Sequence, residues 1–520
     1  MINRKQILLE NTLWVYLAKI VTQLISLVAS VMVLRQLDVD VYGMYVFLFG
    51  LFTAYQLVIV SPLKHVLLRF VPELKNTISS SSLLRLIAIY VAIALVMVVV
   101  LTIVGFVFKD FIIQIFNVET FDNHLNSFLF FVFTYAVKIL LEVLLSALLL
   151  HRRIAVFNII IAFSRAIAYL ILLNQLNVNL LLIIEGAVSL IYAIPALIVL
   201  IKVLNSDNNT SGEVINKRQK QRMQRFWLYS LFTEMGAGLI GRTSDYYIVA
   251  ALSSPYFVGL YGFAVKIYEL FYKVLPLKEF ESVLKPLVFE RYSSMEETDS
   301  LNRFYNFIIK VLLPVFILPF TYFFVFGNEI ISQLFGEKYL SAYWPTVIIL
   351  GGFVFDGVFY PLGILIHLKE KMHVLLISRI VVVFSLVAGI LMMKQFGITG
   401  VAVATVFGEL LKNMLMFFMF RKYLKLTYDP KIFLSNVLLV IVLLLLFYPL
   451  HFIGNQIILL GIGTVLYAIV YGFYLINFHP FDNDELKYLE SILKSNTKLS
   501  GISDHIIKVL NKIVVRKINA

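Results

Sequence analysis

The chain has 520 residues, of which 60% are hydrophobic and 14% charged, with a net charge of +13 and no cysteine. Soluble domains carry about 25% charged residues, so this composition excludes a soluble surface over most of the molecule and requires contact with lipid. The missing cysteines exclude disulfides, thiolate metal sites and cysteine nucleophiles, and where the basic residues lie says more than their sum.

The chain opens on a polar segment, Met1 to Glu10, with no cleavage site after a short apolar core. The first apolar run is therefore expected to be an uncleaved helix, not a signal peptide. A helix needs about 20 apolar residues to cross the hydrocarbon core. Runs of that kind follow at Leu13–Leu34, Tyr42–Ser61, Leu86–Phe108, Leu125–Leu150, Ile154–Asn174 and Leu180–Ile201. After the polar connection Lys202–Arg225 come Trp227–Ala251, Tyr256–Pro276, Phe307–Phe326, Ala342–Ile366, Val374–Met393 and Gly397–Phe420, then Phe433–Phe452 and Gln456–Asn477. Long continuous runs disfavour a β-barrel, whose strands alternate over about ten residues. The tail after Phe478 is amphipathic, with Ile502, Ile506, Ile507, Leu510 and Ile513–Val515 among lysines. It reads as a helix on the anionic inner leaflet or as a partner-binding helix.

Lysine and arginine set the orientation. About 31 of them lie in the N-terminus, the even-numbered connections and the tail, against about four in the opposite loops. Both termini are thus expected on the cytoplasmic side. The two halves also echo each other. Val41-Tyr42-Gly43-Met44-Tyr45 returns as Val258-Gly259-Leu260-Tyr261, Pro62-Leu63-Lys64 as Pro276-Leu277-Lys278, and Phe163-Ser164 as Phe384-Ser385. The offsets, about 214 to 221, fit a diverged duplication. An even number of spans per repeat makes the halves parallel, related by an axis along the membrane normal. The expected fold is an all-α integral membrane protein of about fourteen transmembrane helices, with two six-helix lobes related by a pseudo-twofold and two extra C-terminal helices. In domain terms this gives an N-lobe over residues 1–204, a cytoplasmic linker over 205–226, a C-lobe over 227–425, spans 13 and 14 over 426–477 and a cytoplasmic tail over 478–520.

Ionisable groups at membrane depth are costly, so they face protein or water and often mark a substrate path. Lys19, Lys138, Glu142, Arg165, Glu185, Glu234, Arg242, Asp245, Lys266, Glu269, Asp356, Glu409 and Lys412 all fall inside spans. Lys19, Thr22, Gln23, Ser26 and Ser30 share one helical stripe, as do Gly262, Lys266, Glu269 and Lys273, and Ser230, Glu234, Gly238, Gly241 and Asp245. The first, seventh and eighth spans could line one hydrated cavity. Lys138–Glu142, Arg242–Asp245 and Lys266–Glu269 have the spacing of internal ion pairs, which is an equally good structural account of them. Lys19 and Arg165 have no carboxylate on their own helix within a turn, whereas Lys273, Lys310, Arg379 and Lys412 sit near helix ends and can snorkel. Arginine grips phosphate with two donors and lysine supplies a point charge, so Lys19, Lys138, Arg165, Arg242 and Lys266 are expected to bind an anionic group. Glu142, Glu234, Asp245, Glu269 and Asp356 are the candidates for coupling or gating. The Asp38-Val39-Asp40 pattern lies in a very short outer loop, and the eight histidines show no ligand spacing. No metal site and no resident cofactor are expected, and the sequence carries no Walker, zincin or nucleophile-elbow motif.

The six-six-two layout, with Val33-Leu34-Arg35-Gln36-Leu37 leading into Tyr42-Gly43-Met44-Tyr45, resembles the polysaccharide exporters of the multidrug/oligosaccharidyl-lipid/polysaccharide (MOP) superfamily, in the O-antigen and capsule repeat-unit flippase branch. That resemblance implies a transporter of the bacterial inner membrane, not an enzyme. It would move undecaprenyl-diphosphate-linked oligosaccharide to the outer leaflet by alternating access. A cationic cavity suits the diphosphate, and the lipid tail would stay in the bilayer. Coupling to a proton or sodium gradient, or to the membrane potential, stays open. Expected partners are the lipid-linked glycan, membrane lipids and the glycan polymerase or glycosyltransferases of the pathway, with no nucleic acid. The alternatives are a MATE-like drug or cation antiporter and a lipid II flippase. Drug-exporting relatives commonly carry an acid in the first helix, where this chain has Lys19. A membrane glycan polymerase or ligase is disfavoured because every outer loop is short.

Overall fold

The computed structural model describes residues 4–74, 79–116, 118–206, 217–238, 242–275, 298–369, 371–449 and 456–478. The amphipathic tail, residues 207–216 of the central linker and the second Pro-Leu-Lys echo lie outside the described residues. The described chain is helical throughout. In order the helices are α1 (Arg4–Gln36), α2 (Val39–Leu74), α3 (Ser80–Val107), α4 (Lys109–Phe116), α5 (Phe121–Ala147), α6 (His151–Ile171) and α7 (Val178–Ser206). Then come α8 (Lys217–Gly238), α9 (Arg242–Leu252), α10 (Pro255–Val274), α11 (Thr298–Ile330), α12 (Tyr343–Leu368), α13 (Met372–Phe420), α14 (Pro430–Phe447) and α15 (Gln456–Phe478). Among the described residues, nine helices are long and apolar enough to cross a membrane, or ten if the bent halves of α2 count as one span. Large apolar side chains such as Val107, Ile171, Phe384, Leu434 and Leu445 stand exposed. In water that surface would be untenable; in hydrocarbon it is the solvent-matched face. This is a multi-pass membrane protein.

Two helices depart from straightness for identifiable reasons. In α2 the halves Val39–Leu57 and Ile59–Leu74 meet at 43°, just before Pro62. A proline ring offers no N–H and crowds the carbonyl four residues earlier, so the helix bends there. Helix α13 has 49 residues, which at about 1.5 Å per residue would overrun a bilayer core twice over. Gly397 turns it back, with φ 59° and ψ −148°, a region open almost only to glycine. The two halves then lie together: a Cβ on Gly400 would meet the Met392 carbonyl oxygen at 2.4 Å, and one on Gly408 would meet Ser385 Cβ at 2.3 Å. The helix is therefore a hairpin of two spans, as the separate runs 374–393 and 397–420 predict.

The chain divides into two compact units, residues 11–263 and residues 1–10 with 264–520. In the first, α7 packs along α5 and against α6, while α2 packs on α3, α5 and α8. Its core is aromatic: Phe52 contacts Phe131 and Tyr135 at ring separations of 4.8 and 5.0 Å. The N-terminal ends of α2 and α10 touch backbone to backbone, since a Cβ on Gly43 would sit 1.8 Å from the Pro255 carbonyl oxygen and one on Gly259 2.2 Å from that of Val39. The echoed sequence words thus meet each other at a contact that only glycine permits.

In the second unit α11 packs on α12 and α14, α12 on α13, and α14 on α15. Phe316 and Phe353 centre the core at 4.5 Å, and Thr321 bonds Tyr467 at 2.6 Å. Asn302 and Asn306 of α11 tie down the connection before α14. Asn306 donates to the Thr427 carbonyl at 2.9 Å and accepts from the Asp429 N–H at 2.9 Å. Asp429 then caps α14 by accepting from the Lys431 N–H at 2.9 Å, with Pro430 at the first helical position.

Candidate functional site

The polar interior of the first unit is built on three neighbouring helices. On α5, Tyr135, Lys138 and Glu142 follow one stripe at helical spacing. Lys138 Nζ meets Glu142 Oε2 at 2.9 Å and stands over the rings of Tyr135 and Tyr192 at 5.2 and 5.4 Å. On α6, Arg165 and Tyr169 are one turn apart; on α7, Glu185, Ser189 and Tyr192 share a face. Arg165 Nη2 donates to Glu185 Oε2 at 2.8 Å, and the Tyr169 hydroxyl donates to Glu185 Oε1 at 2.7 Å. Lys138, Tyr45 of α2 and Tyr135 all lie within electrostatic range of Arg165, so the two ion pairs belong to one cluster.

That cluster is balanced, with two cations against two carboxylates. It is not symmetric in exposure, because the Glu185 side chain is 7% exposed and the Arg165 side chain 25%. Glu185 is therefore the buried anchor, and Arg165 is the member with an open side. The Arg165 Nε–H and the Tyr192 hydroxyl are buried without a hydrogen-bond partner among the described residues. Buried polar groups are nearly always paired, so each of these two donors has capacity for a further acceptor. Chemically, the cluster can hold an anionic oxygen by exchanging it for one oxygen of Glu185.

The other expected site residues are spread more widely. Lys19 lies half-buried on the polar stripe of α1, where Thr22 and Ser30 fold their hydroxyls back onto the carbonyls of Ala18 and Ser26, each at 2.7 Å. Leu17, Leu24 and Val28 on the other side are exposed, so the stripe points away from lipid. Asp245 of α9 is buried and accepts from the Tyr261 hydroxyl at 2.6 Å. On α10, Glu269 is held by Lys273 at 2.7 Å, one turn further along than Lys266. Asp356 lies half-buried on α12. The side chains of Glu234 and Arg242 lie outside the described residues. No group of three or more metal-ligating side chains is found among the described residues, and His373 bonds the Tyr423 hydroxyl at 2.9 Å.

Glu185 and Tyr169 are the residues that spacing along a single helix misses. Their signal lies across the connection. Arg165 stands six residues before the end of α6 and Glu185 seven after the start of α7. Both sit about 9–11 Å from the turn at about 1.5 Å per residue. Opposite charges at equal depth on consecutive antiparallel helices meet when both also lie on the facing sides of the two helices.

No family model and no curated protein matches this chain. Among solved structures it is similar to the lipid II flippase MurJ in an inward closed conformation, at 14% identity and a TM-score of 0.61, over 89% of this chain and 97% of that one. It is also similar to a mutant of the Vibrio cholerae MATE transporter VcmN, at 11% identity and a TM-score of 0.45, over 81% and 97% of the two chains. The likeness to MurJ establishes the fold of this chain as the MurJ-like helical membrane fold.

Proposed function

We propose that this protein is a flippase of the inner membrane. It moves an undecaprenyl-diphosphate-linked oligosaccharide, a polysaccharide repeat unit, from the inner to the outer leaflet by alternating access. Its fourteen spans are arranged as six, six and two, with both termini cytoplasmic. The observation that carries the reading is the Arg165 cluster, a guanidinium anchored by a buried carboxylate yet open on one side, within a fold similar to that of a lipid II flippase. A diphosphate oxygen offers the same geometry as the carboxylate oxygen it would replace. Lys138 supplies a second charge nearby, and Lys19, Arg242 and Lys266 are assigned to the same cargo from the other polar stripes. Asp245, Glu269, Asp356, Glu142 and Glu234 are the candidates for coupling and gating, with Glu185 added because it is freed whenever Arg165 turns to cargo.

The likeness to MurJ also favours a second reading, in which the cargo is lipid II itself. Proteoliposomes separate the two. Fluorescent undecaprenyl-diphosphate oligosaccharide and fluorescent lipid II are each offered, and the protected fraction is read with a membrane-impermeant quencher. The repeat-unit probe is expected to move, and Arg165→Ala or Lys19→Ala should slow it by at least about tenfold, the equivalent of ~1.4 kcal/mol. Unchanged flipping in both variants removes the phosphate-site assignment. Movement of lipid II alone selects the second reading, and efflux of cationic dyes with neither lipid moving selects an antiporter.

A further inference from the structure

A cavity of about 290 Å³ lies between α2, α3 and α8, walled by Leu63, Tyr90, Met223 and Trp227 and opening past Ile89 and Ile93. It shares no residue with the Arg165 cluster. Ile89 is 51% and Ile93 38% exposed, so the opening faces the lipid side. The walls are graded. On α3, Ile89 and Ile93 line the cavity and Arg85 stands one turn before them; on α8, Lys220, Met223 and Trp227 line it at spacings of three and four residues. Each stripe therefore runs from a cation at the start of its helix to apolar groups deeper in. Arg222 is taken by Glu73 at 2.8 Å and stacks on Phe70 at 5.2 Å, whereas Lys220 and Arg85 have no carboxylate partner among the described residues. On the same α8 stripe as Lys220, the shielded indole N–H of Trp227 has no acceptor among the described residues.

We infer that this groove binds an anionic glycerophospholipid of the adjoining leaflet. Its phosphate would lie between Lys220 and Arg85, an ester carbonyl against the Trp227 N–H, and one acyl chain along Leu63, Ile89 and Ile93. A cation, an indole donor and an apolar wall are together the groups that complement such a lipid, and interfacial tryptophan with basic neighbours suits an anionic leaflet. The site is a resident lipid's seat, separate from the cargo path.

Trp227 is its own reporter, because the chain has three tryptophans. The full chain carrying Trp14→Phe and Trp344→Phe is reconstituted with acyl-brominated phosphatidylglycerol or acyl-brominated phosphatidylcholine, and the fluorescence of Trp227 is followed against bromolipid fraction. Half-maximal quenching is expected at an about fivefold lower fraction of the glycerol lipid, and Lys220→Gln with Arg85→Gln should erase the difference. Equal curves for the two lipids in the parent protein overturn the site without recourse to any charge variant. A preference that survives the double substitution overturns the assigned cations, and relief of quenching by added undecaprenyl diphosphate overturns the resident-lipid reading.

Discussion

Arg165 and Glu185 illustrate how much depends on which member of a pair is solvated. Removing one partner of a buried pair leaves the other uncompensated, at about 3–5 kcal/mol for full burial. Glu185→Ala strands a guanidinium that is a quarter exposed and so can recover part of its hydration. We expect a loss of about 3 kcal/mol, read as a lowered melting temperature in detergent. Arg165→Ala instead leaves the carboxylate, which is nearly fully buried and keeps only the Tyr169 hydroxyl. It should destabilise at least as much, and Arg165→Lys should restore stability better than transport, because lysine lacks the second, parallel donor. Melting temperatures that do not move in either alanine variant would show that the pair is not closed in the folded protein.

At the scale of helices, the glycines carry the sharpest expectations. Gly397→Val places a β-branched side chain at a φ that it avoids, and the hairpin in α13 should lose about 2–3 kcal/mol. Gly43→Val drives methyl groups into the Pro255 carbonyl and should force α2 and α10 apart, at a cost of about 1–3 kcal/mol. Thermal denaturation of purified protein tests both, and melting as in the parent would mean the close approach is absent. The connection before α14 offers a milder case. Asn306→Ala removes three hydrogen bonds, with Asn302, Thr427 and Asp429, on the rim of the second unit and should cost about 1–2 kcal/mol. These elements differ in how plainly the sequence shows them. The break at Gly397 is legible because two apolar runs abut and a glycine stands between them. The contact of Gly43 with Pro255 and Gly259 is not, because an echo of words says that two segments are alike, not that they touch.

For the molecule as a whole, the charge asymmetry of the loops makes a topological prediction. The chain has no cysteine, so Arg153→Cys and Lys338→Cys each create a single labelling site. In intact cells an impermeant maleimide should label position 338 and leave 153 unmodified until the membrane is opened. The reverse pattern would invert the orientation. The sequence by itself determined that the protein lives in lipid and where most of its long apolar helices lie. Those properties follow from local hydropathy and from the need of each backbone N–H and C=O to be satisfied within its own segment. It also marked the ionisable groups that hydrocarbon would reject. Only the tertiary structure decided which of them belong together: that Arg165 closes on Glu185 and Tyr169, that Lys138 leans over Tyr192, and that a lipid-facing groove forms beside α3. Coulombic and hydrogen-bond energies depend on distances between helices, and a one-dimensional pattern holds those distances only where a short turn forces two residues to the same depth.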